Sequence, residues 1–392
     1  MTGTEVAIGL IRGGRLVTRL VIVGCGALVL ALILLEAVSH VVLMAAGKIA
    51  PRLRTEPVQY EGEKWLKTMR REEVATNRYL YQPYVVWRRP PFDGETIRID
   101  EAGLRRTTNS QCDDRALRVF LFGGSALWGS GSPDWGTIPS QFAKILQEHG
   151  RPACVRNFGE SGYVSSQEMV QLILALKAGE KPDLVIFYDG WNDISVRYQN
   201  GIENAHANLY DIKQKFEASP VILALGVTKT ATLFDRIMTG LGMWAPHLER
   251  HRLAIDMAPV EQVAGSIQTQ YLRNVEMVEA LANHYGFKYA FFWQPMILAE
   301  GKTLTDQEMR IFEESSAHPD LVALTRATYR VMRAVRQPQV FYFGDVFKDR
   351  VENVYVDWVH IDPEANRFVA SRIYETLERN ESIPRWRAGF SR

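Results

Sequence analysis

The N-terminal part of the chain has a hydrophobic pattern unlike the rest. Residues 20–47 are almost entirely apolar, and Leu20 to Leu35 form an uninterrupted apolar run. A helix of 28 residues rises about 42 Å, which exceeds the roughly 30 Å hydrocarbon core of a bilayer. We therefore predict a transmembrane anchor helix over 20–47 after a cytoplasmic tail over 1–19. A cleaved signal peptide is the alternative, although its apolar region is normally about 7–15 residues.

Basic residues flank this segment on both sides and do not decide its orientation. Three arginines precede it, and Lys48, Arg52 and Arg54 follow it. A short basic tail before a long apolar run acts as a signal anchor, and long following domains translocate largely regardless of charge. We therefore predict a single-pass protein whose main domain faces the periplasm or the cell exterior.

The pattern changes again beyond the apolar segment. Residues 48–115 are rich in Arg, Lys, Glu and Pro, and the alternation at 96–100 is typical of a strand, so a juxtamembrane helix and a small β-rich collar are expected. From residue 116, short β-branched or aromatic runs alternate with helical stretches. The predicted strands are 118–122, 155–158, 184–188, 289–293 and 340–343, and the predicted helices are 138–149, 166–177, 267–284, 321–334 and 364–377.

Five strands with intervening helices predict an α/β fold, a three-layer doubly wound parallel five-stranded sheet. This domain covers 116–380, and 381–392 is a C-terminal tail. Residues 195–265 form an insertion that is too long for an ordinary connection. The insertion is either a cap over the functional site or an irregular structural excursion.

Composition narrows the functional classes. The chain has 46% hydrophobic and 23% charged residues, with 46 basic and 45 acidic side chains. These values argue against disorder and against a broad basic surface for nucleic acid. Three cysteines exclude a scaffold built from disulfides, and no Cys/His pattern has the spacing of a zinc site.

Functional residues of open α/β sheets lie at the carboxyl ends of the strands. Four of the five predicted strands are followed by such residues. These are Gly123-Gly124-Ser125-Ala126, the loop from Asn157 to Tyr163 with its Ser161-Gly162 pair, Gly190-Trp191-Asn192-Asp193, and Asp357-Trp358-Val359-His360.

Together these loops contain the parts of an acyl-transfer site. A serine hydroxyl such as that of Ser125 needs a base to remove its proton, and His360 can supply it. Asp357 can accept the other imidazole N–H and fix the tautomer. The backbone N–H groups of Ser125 and Gly162 and the amide of Asn192 can form an oxyanion hole. Side chains and backbone suffice for this chemistry, so we expect neither a metal nor an organic cofactor.

At these residues the sequence resembles the SGNH hydrolase superfamily, the GDSL esterases and lipases. The serine block, the Asn-x-Gly-x-x-Gly loop, the Gly-x-Asn-Asp block and the Asp-x-x-His block occur in family order over about 116–380. The resemblance implies a flavodoxin-like SGNH hydrolase fold, and it favours Gly162 over Gly159 as the oxyanion donor. Gly124 and Ala126 replace the family's usual Asp and Leu beside the nucleophile.

Several further residues are assigned supporting roles. Gly124 and Gly190 shape their turns, and Asp193 braces its loop or takes a direct catalytic part, of which we favour bracing. Trp128, Tyr163, Trp191 and Trp358 are candidates for a pocket for sugar or acyl groups, with packing in the core as the alternative. Cys112 and Cys154 precede strands that become parallel neighbours, so they can pair in an oxidising compartment.

These observations predict a membrane-anchored serine esterase that removes an acyl group, such as acetyl, from an envelope carbohydrate or lipid. Its partners would be this acylated substrate and the membrane, not nucleic acid. One alternative is an O-acyltransferase on the same scaffold that modifies an extracytoplasmic polysaccharide. A second is a catalytically inactive binding or scaffold protein. The sequence makes no prediction of the oligomeric state.

Overall fold

The structure is a computed structural model, and it describes residues 3–49, 58–217, 228–240, 259–299 and 301–384. The chain forms two compact units. One comprises Met1–Thr55 with Tyr210–Pro246, and the other comprises Glu56–Leu209 with His247–Arg392.

The smaller unit contains helix α1, Gly3–Ile49. Its stretch Ile22–Ala45 is long and apolar enough to cross a membrane. The helix already begins at Gly3, so the predicted tail over 1–19 is helical wherever the structure describes it.

The larger unit opens with the predicted collar. A 3₁₀ turn at Val58–Tyr60 and helix α2, Leu66–Thr76, precede four short strands. These strands form two antiparallel pairs: β1, Leu80–Gln82, with β2, Val86–Arg88, and β3, Phe92–Asp93, with β4, Arg98–Ile99. The strand expected over 96–100 is thus only two residues long.

The main sheet has five parallel strands and confirms the predicted fold class. They are β5, Leu117–Gly123; β6, Ala153–Asn157; β7, Leu184–Asp189; β8, Lys288–Trp293; and β9, Val340–Tyr342. Their spatial order is β6-β5-β7-β8-β9, which is the flavodoxin-like order. All six residues of β7 are buried, as expected for a central strand covered on both faces.

Further helices follow along the described part of the chain. They are α3, Ser125–Trp128; α4, Ile138–Glu148; α5, Ser165–Lys177; α6, Trp191–Asn200; α7, Leu209–Glu217; α8, Lys229–Gly240; α9, Val260–Tyr285; α10, Asp306–Ser315; α11, Pro319–Arg333; and α12, Pro363–Arg379. Of these, α8 belongs to the smaller unit. Helix α4 packs against α12, while α5, α6 and α11 pack against α9 or one another. All five predicted helices are present; α3, α6 and α10 are not among the predicted ranges, and α7 and α8 lie in the insertion.

The insertion differs from its predicted extent. Helix α6 continues to Asn200 and α9 begins at Val260, so both limits of 195–265 fall inside helices. The part from Tyr210 to Gly240 belongs to the same compact unit as α1. The choice between a cap and a structural excursion stays a prediction.

A disulfide joins Cys112 to Cys154. Cys112 precedes β5, but Cys154 lies within β6 rather than before it, opposite Arg118. The bond therefore links the chain entering one strand to its parallel neighbour.

Candidate active site

Three side chains from two distant loops form a continuous hydrogen-bonded relay. Ser125 is the first residue of α3, directly after β5, and its Oγ lies 2.8 Å from Nε2 of His360. The Nδ1 of the same imidazole lies 2.6 Å from Oδ2 of Asp357. Oδ1 of Asp357 accepts the backbone N–H groups of Val359 (2.9 Å) and His360 (2.8 Å), which holds the carboxylate in place. The three residues proposed from sequence as nucleophile, base and orienting acid are thus in contact.

The relay makes the imidazole more basic. Burial of His360 acts against its charged form, but the charge and hydrogen bond of Asp357 outweigh burial, and the pKa of His360 lies above its ordinary value. Burial acts in the opposite sense on Asp357, and the charge and hydrogen bond of His360 again prevail, so the pKa of this carboxyl is lowered. Both shifts favour an imidazolium beside a carboxylate, the pair that forms when the base takes a proton.

The glycine before the nucleophile lies against the third motif. A Cβ on Gly124 would come within 2.2 Å of Nδ2 of Asn192. A side chain at this position would therefore displace the amide of Asn192 from its observed place. The Nδ2 of Asn192 also donates to the carbonyl of Tyr163 at 2.7 Å. An amide nitrogen carries two N–H groups, so the second one can serve an oxyanion.

The two glycines of the second loop, Gly159 and Gly162, differ in their backbone environment. The N–H of Gly159 donates to Oδ1 of Asn157 at 2.9 Å, so it is already used inside the loop. Gly162 adopts φ +77°, a left-handed conformation that favours glycine. Gly162 therefore remains the better candidate for an oxyanion donor.

The supporting residues of the third motif stabilise the backbone. Gly190 has φ +134°, and a Cβ there would meet the ring of Trp293 at 3.0 Å. The carboxylate of Asp193 accepts the hydroxyl of Ser165 at 2.6 Å, at the start of α5. Asp193 thus joins the first turn of α6 to the start of α5, and Ser165 is not part of the relay.

The predicted aromatic pocket requires a correction. Trp128 and Tyr163 are fully buried, so their side chains cannot line an open pocket. Trp128 lies between the guanidinium groups of Arg89 and Arg105, at 3.9 and 4.3 Å from the ring centre. Trp191 is half-buried and Trp358 is 43% exposed, so these two remain candidates for contact with substrate.

The collar contributes residues that the sequence analysis missed. Arg89 forms a buried ion pair with Glu160, and its backbone N–H donates to the same carboxylate at 3.0 Å. Arg88 donates to the carbonyl of Phe158 at 3.2 Å, and Nε1 of Trp87 donates to that of Ser161 at 3.0 Å. The collar therefore fixes the loop that contains the candidate oxyanion donor.

A second set of collar contacts fixes the turn that follows the nucleophile. The hydroxyl of Tyr60 donates to the carbonyl of Gly131 at 2.6 Å. The backbone N–H of Gly131 donates to Oε1 of Glu73 at 3.1 Å. The charge of Glu73 also contributes to the raised pKa of His360.

We expect Glu160→Gln to destabilise the protein strongly. Removing one charge of a buried pair leaves the guanidinium of Arg89 uncompensated, which typically costs about 3–5 kcal/mol. Denaturant unfolding measures this loss. Glu261→Gln is the matched control, because its pair with Arg330 is exposed and such pairs contribute about 0–1 kcal/mol. Equal effects of the two substitutions would contradict the bracing role.

Buried carboxyl groups lie behind the third motif. Glu168 and Asp189 are both buried, and burial followed by the charge of Asp193 raises the pKa of Asp189 to about 8. Burial and the neighbouring charge of Asp189 likewise raise the pKa of Glu168. The folded state thus holds a proton here that the unfolded chain releases near pH 4.

This proton makes stability fall as pH rises. Between about pH 4 and pH 8 the folded state binds more protons than the unfolded state, so the free energy of unfolding decreases with pH. We expect Asp189→Asn to remove part of this dependence. Its melting temperature relative to the unsubstituted protein should increase from pH 4 to pH 8 in calorimetry. A difference that is constant across this range would argue against a protonated Asp189.

Among the residues that the structure describes, no group of three or more His, Cys, Asp or Glu side chains could hold a metal ion.

The fold and the relay are those of an α/β serine hydrolase. Residues 119–373 match the GDSL-like Lipase/Acylhydrolase family. The chain belongs to this family of ester hydrolases.

Three solved structures illustrate the proteins to which this chain is similar. TesA is 15% identical, with 67% of this chain and 99% of TesA covered and a TM-score of 0.32. A member of the lipolytic G-D-S-L family from Veillonella parvula is 10% identical (67% and 100% covered, TM-score 0.38). The acetyl xylan esterase AlAXEase is 13% identical (67% and 100% covered, TM-score 0.34). No curated protein matches the chain.

Proposed function

We propose that the chain is a membrane-anchored serine esterase that removes an acyl group from an envelope carbohydrate or lipid. The relay from Ser125 through His360 to Asp357, with contacts of 2.8 and 2.6 Å, is the observation that carries this proposal.

The relay supplies a complete route for ester hydrolysis. Oγ of Ser125 attacks the acyl carbonyl while Nε2 of His360 takes its proton, and Asp357 stabilises the resulting imidazolium. The N–H groups of Ser125 and Gly162 and the amide of Asn192 stabilise the oxyanion. His360 then protonates the leaving alcohol. Finally, His360 deprotonates a water that attacks the acyl carbonyl, and the proton returns from His360 to Oγ of Ser125 as the acid leaves.

The membrane part of the proposal is supported by the apolar stretch Ile22–Ala45. Its length suits a span, and the short basic N-terminal segment suits a signal anchor with the hydrolase outside the cytoplasm. The disulfide between Cys112 and Cys154 suits an oxidising compartment.

The substrate part is supported by the surroundings of the base. Trp358, between Asp357 and His360, exposes 43% of its surface. Exposed aromatic rings of this kind offer an apolar face with a polar edge, which suits a sugar or an acyl chain. An O-acetyl group on such a carrier is the simplest ester for this relay.

Paired assays on the full chain in detergent distinguish hydrolysis from transfer. One tube contains an acetylated oligosaccharide in water, and the other contains an acetyl donor with a deacetylated acceptor. We expect acetate release in the first tube. Product only in the second tube would overturn the hydrolase proposal in favour of an O-acyltransferase. A folded protein with no product in either would favour the inactive scaffold.

A further inference from the structure

One face of the apolar stretch in α1 is shielded. Of residues 22–45, only Glu36, Ser39 and Leu43 are not exposed. Their spacing of three and four residues places them on one side of the helix. Two of the three are polar, in a segment that is otherwise suited to lipid.

Helix α8 of the insertion packs on this face, within the same compact unit. The carboxylate of Glu36 accepts the backbone N–H groups of Lys229 and Thr230 at 2.5 and 2.9 Å, and the hydroxyl of Thr230 at 2.8 Å. The hydroxyl of Ser39 lies 3.3 Å from that of Thr230. Glu36 therefore caps the N-terminus of α8.

In a membrane, this contact gives hydrogen-bond partners both to the carboxylate of Glu36 and to the first N–H groups of α8. The first N–H groups of a helix lack intrahelical partners, and its N-terminus carries partial positive charge that favours a carboxylate. A carboxylate at the centre of a membrane helix costs about 2.5–3.5 kcal/mol on insertion scales, and such residues are usually paired. The capping of α8 by Glu36 provides that pairing.

The position of Glu36 places the contact at membrane depth. Glu36 lies 14 residues after Ile22 and nine before Ala45 in the candidate span, which correspond to about 21 and 14 Å along a helix. The sequence leading to α8 is also apolar: residues 220–227 read PVILALGV. Helix α8 is amphipathic: it exposes Phe234 and Ile237, and it also carries Lys229, Asp235 and Arg236.

We infer that α8 is a second, amphipathic membrane element, held against α1 by Glu36, with lipid acyl chains against its apolar residues. The inference deepens the proposed membrane anchoring and rests on it. Helices α6 and α9, on either side of the insertion, both belong to the hydrolase unit. The insertion therefore attaches this unit to the bilayer at a second place along the chain.

Cysteine cross-linking tests the contact between the helices. In a Cys25→Ser background in native membranes, the pair Ser39→Cys and Thr230→Cys should form a disulfide on mild oxidation, detected by peptide mass spectrometry. The control pair Val38→Cys and Thr230→Cys should not, because Val38 lies on an exposed face of α1. Adding Glu36→Leu should reduce the cross-link several-fold. No cross-link, or equal cross-linking in both pairs, would overturn the contact.

Fluorescence quenching tests the lipid environment. The dye NBD is attached to Thr232→Cys, an exposed position on α8, or to Val29→Cys in α1, in the Cys25→Ser background. In phosphatidylcholine vesicles with brominated acyl chains both should be quenched, while NBD on Val351→Cys, in the hydrolase unit, should not. Quenching at Val29→Cys without quenching at Thr232→Cys would overturn the embedding of α8 alone. Absence of quenching at Val29→Cys would overturn the membrane anchoring itself.

Discussion

Ser125→Ala is expected to reduce kcat for ester hydrolysis by about 10⁴–10⁶-fold. The relay acts as a unit, so loss of the nucleophile leaves only the contributions of binding and the oxyanion hole. KM should change much less, because the substitution leaves the rest of the site in place. Steady-state assays on an activated acetyl ester measure both constants.

Ser130→Ala is the matched control for this substitution. Ser130 lies five residues further on and donates its backbone N–H to the carbonyl of Ser125 at 3.1 Å. Its side chain has no role in the relay, so kcat should stay within a few-fold of the original. A similar loss of activity in both variants would indicate that the turn, rather than the hydroxyl of Ser125, is what the reaction requires.

Asp357→Asn is expected to reduce kcat by about 10⁴-fold, since the amide can no longer hold the imidazole in the required tautomer. It should also change the pH dependence. In the unsubstituted protein, kcat/KM should rise with pH through the raised pKa of His360, above the ordinary value of about 6.5. Loss of the carboxylate removes the main influence that raises this pKa.

The acid limb of the kcat/KM profile should therefore move to lower pH in Asp357→Asn. Asp349→Asn, a substitution at an exposed position, is the control and should leave the limb unchanged. A limb that stays in place or moves to higher pH in Asp357→Asn would contradict the assignment of His360 as the base oriented by this carboxylate.

The sequence predicted the sheet and the relay because both depend on local signals. Buried strands such as β7 are continuous apolar runs. Ser125 and Asn192 come shortly after their strands, and His360 lies in the longer segment after β9. Ser125 and His360, 235 residues apart, each stand in a recognisable local motif, and the parallel sheet brings the two motifs to one edge.

The collar contacts could not be predicted in the same way. Arg89 and Glu160 are 71 residues apart, and the sheet order does not specify how the collar packs on the loops. An Arg-Arg pair followed by prolines gives no sign that its charges will be buried. The one available signal was Glu160, a carboxylate in the glycine-containing second loop. A carboxylate that becomes buried there needs a cation as its partner.

Trp128 shows the limit of reasoning from proximity in sequence. It lies three residues after Ser125 and so appeared suited to a pocket, but α3 turns its ring inward between two arginines. Helix α8 was missed for a different reason. Its contact with α1 involves Glu36 in an otherwise apolar segment, and the partner of that glutamate is 193 residues away.

Covalent labelling with a fluorophosphonate tests the central claim most directly. The probe reacts with a serine that has an activated hydroxyl, and peptide mass spectrometry then identifies the modified residue. We predict a single adduct on Ser125, which is lost in Ser125→Ala and strongly reduced in His360→Ala. An adduct on another residue, or labelling that persists in Ser125→Ala, would contradict the account.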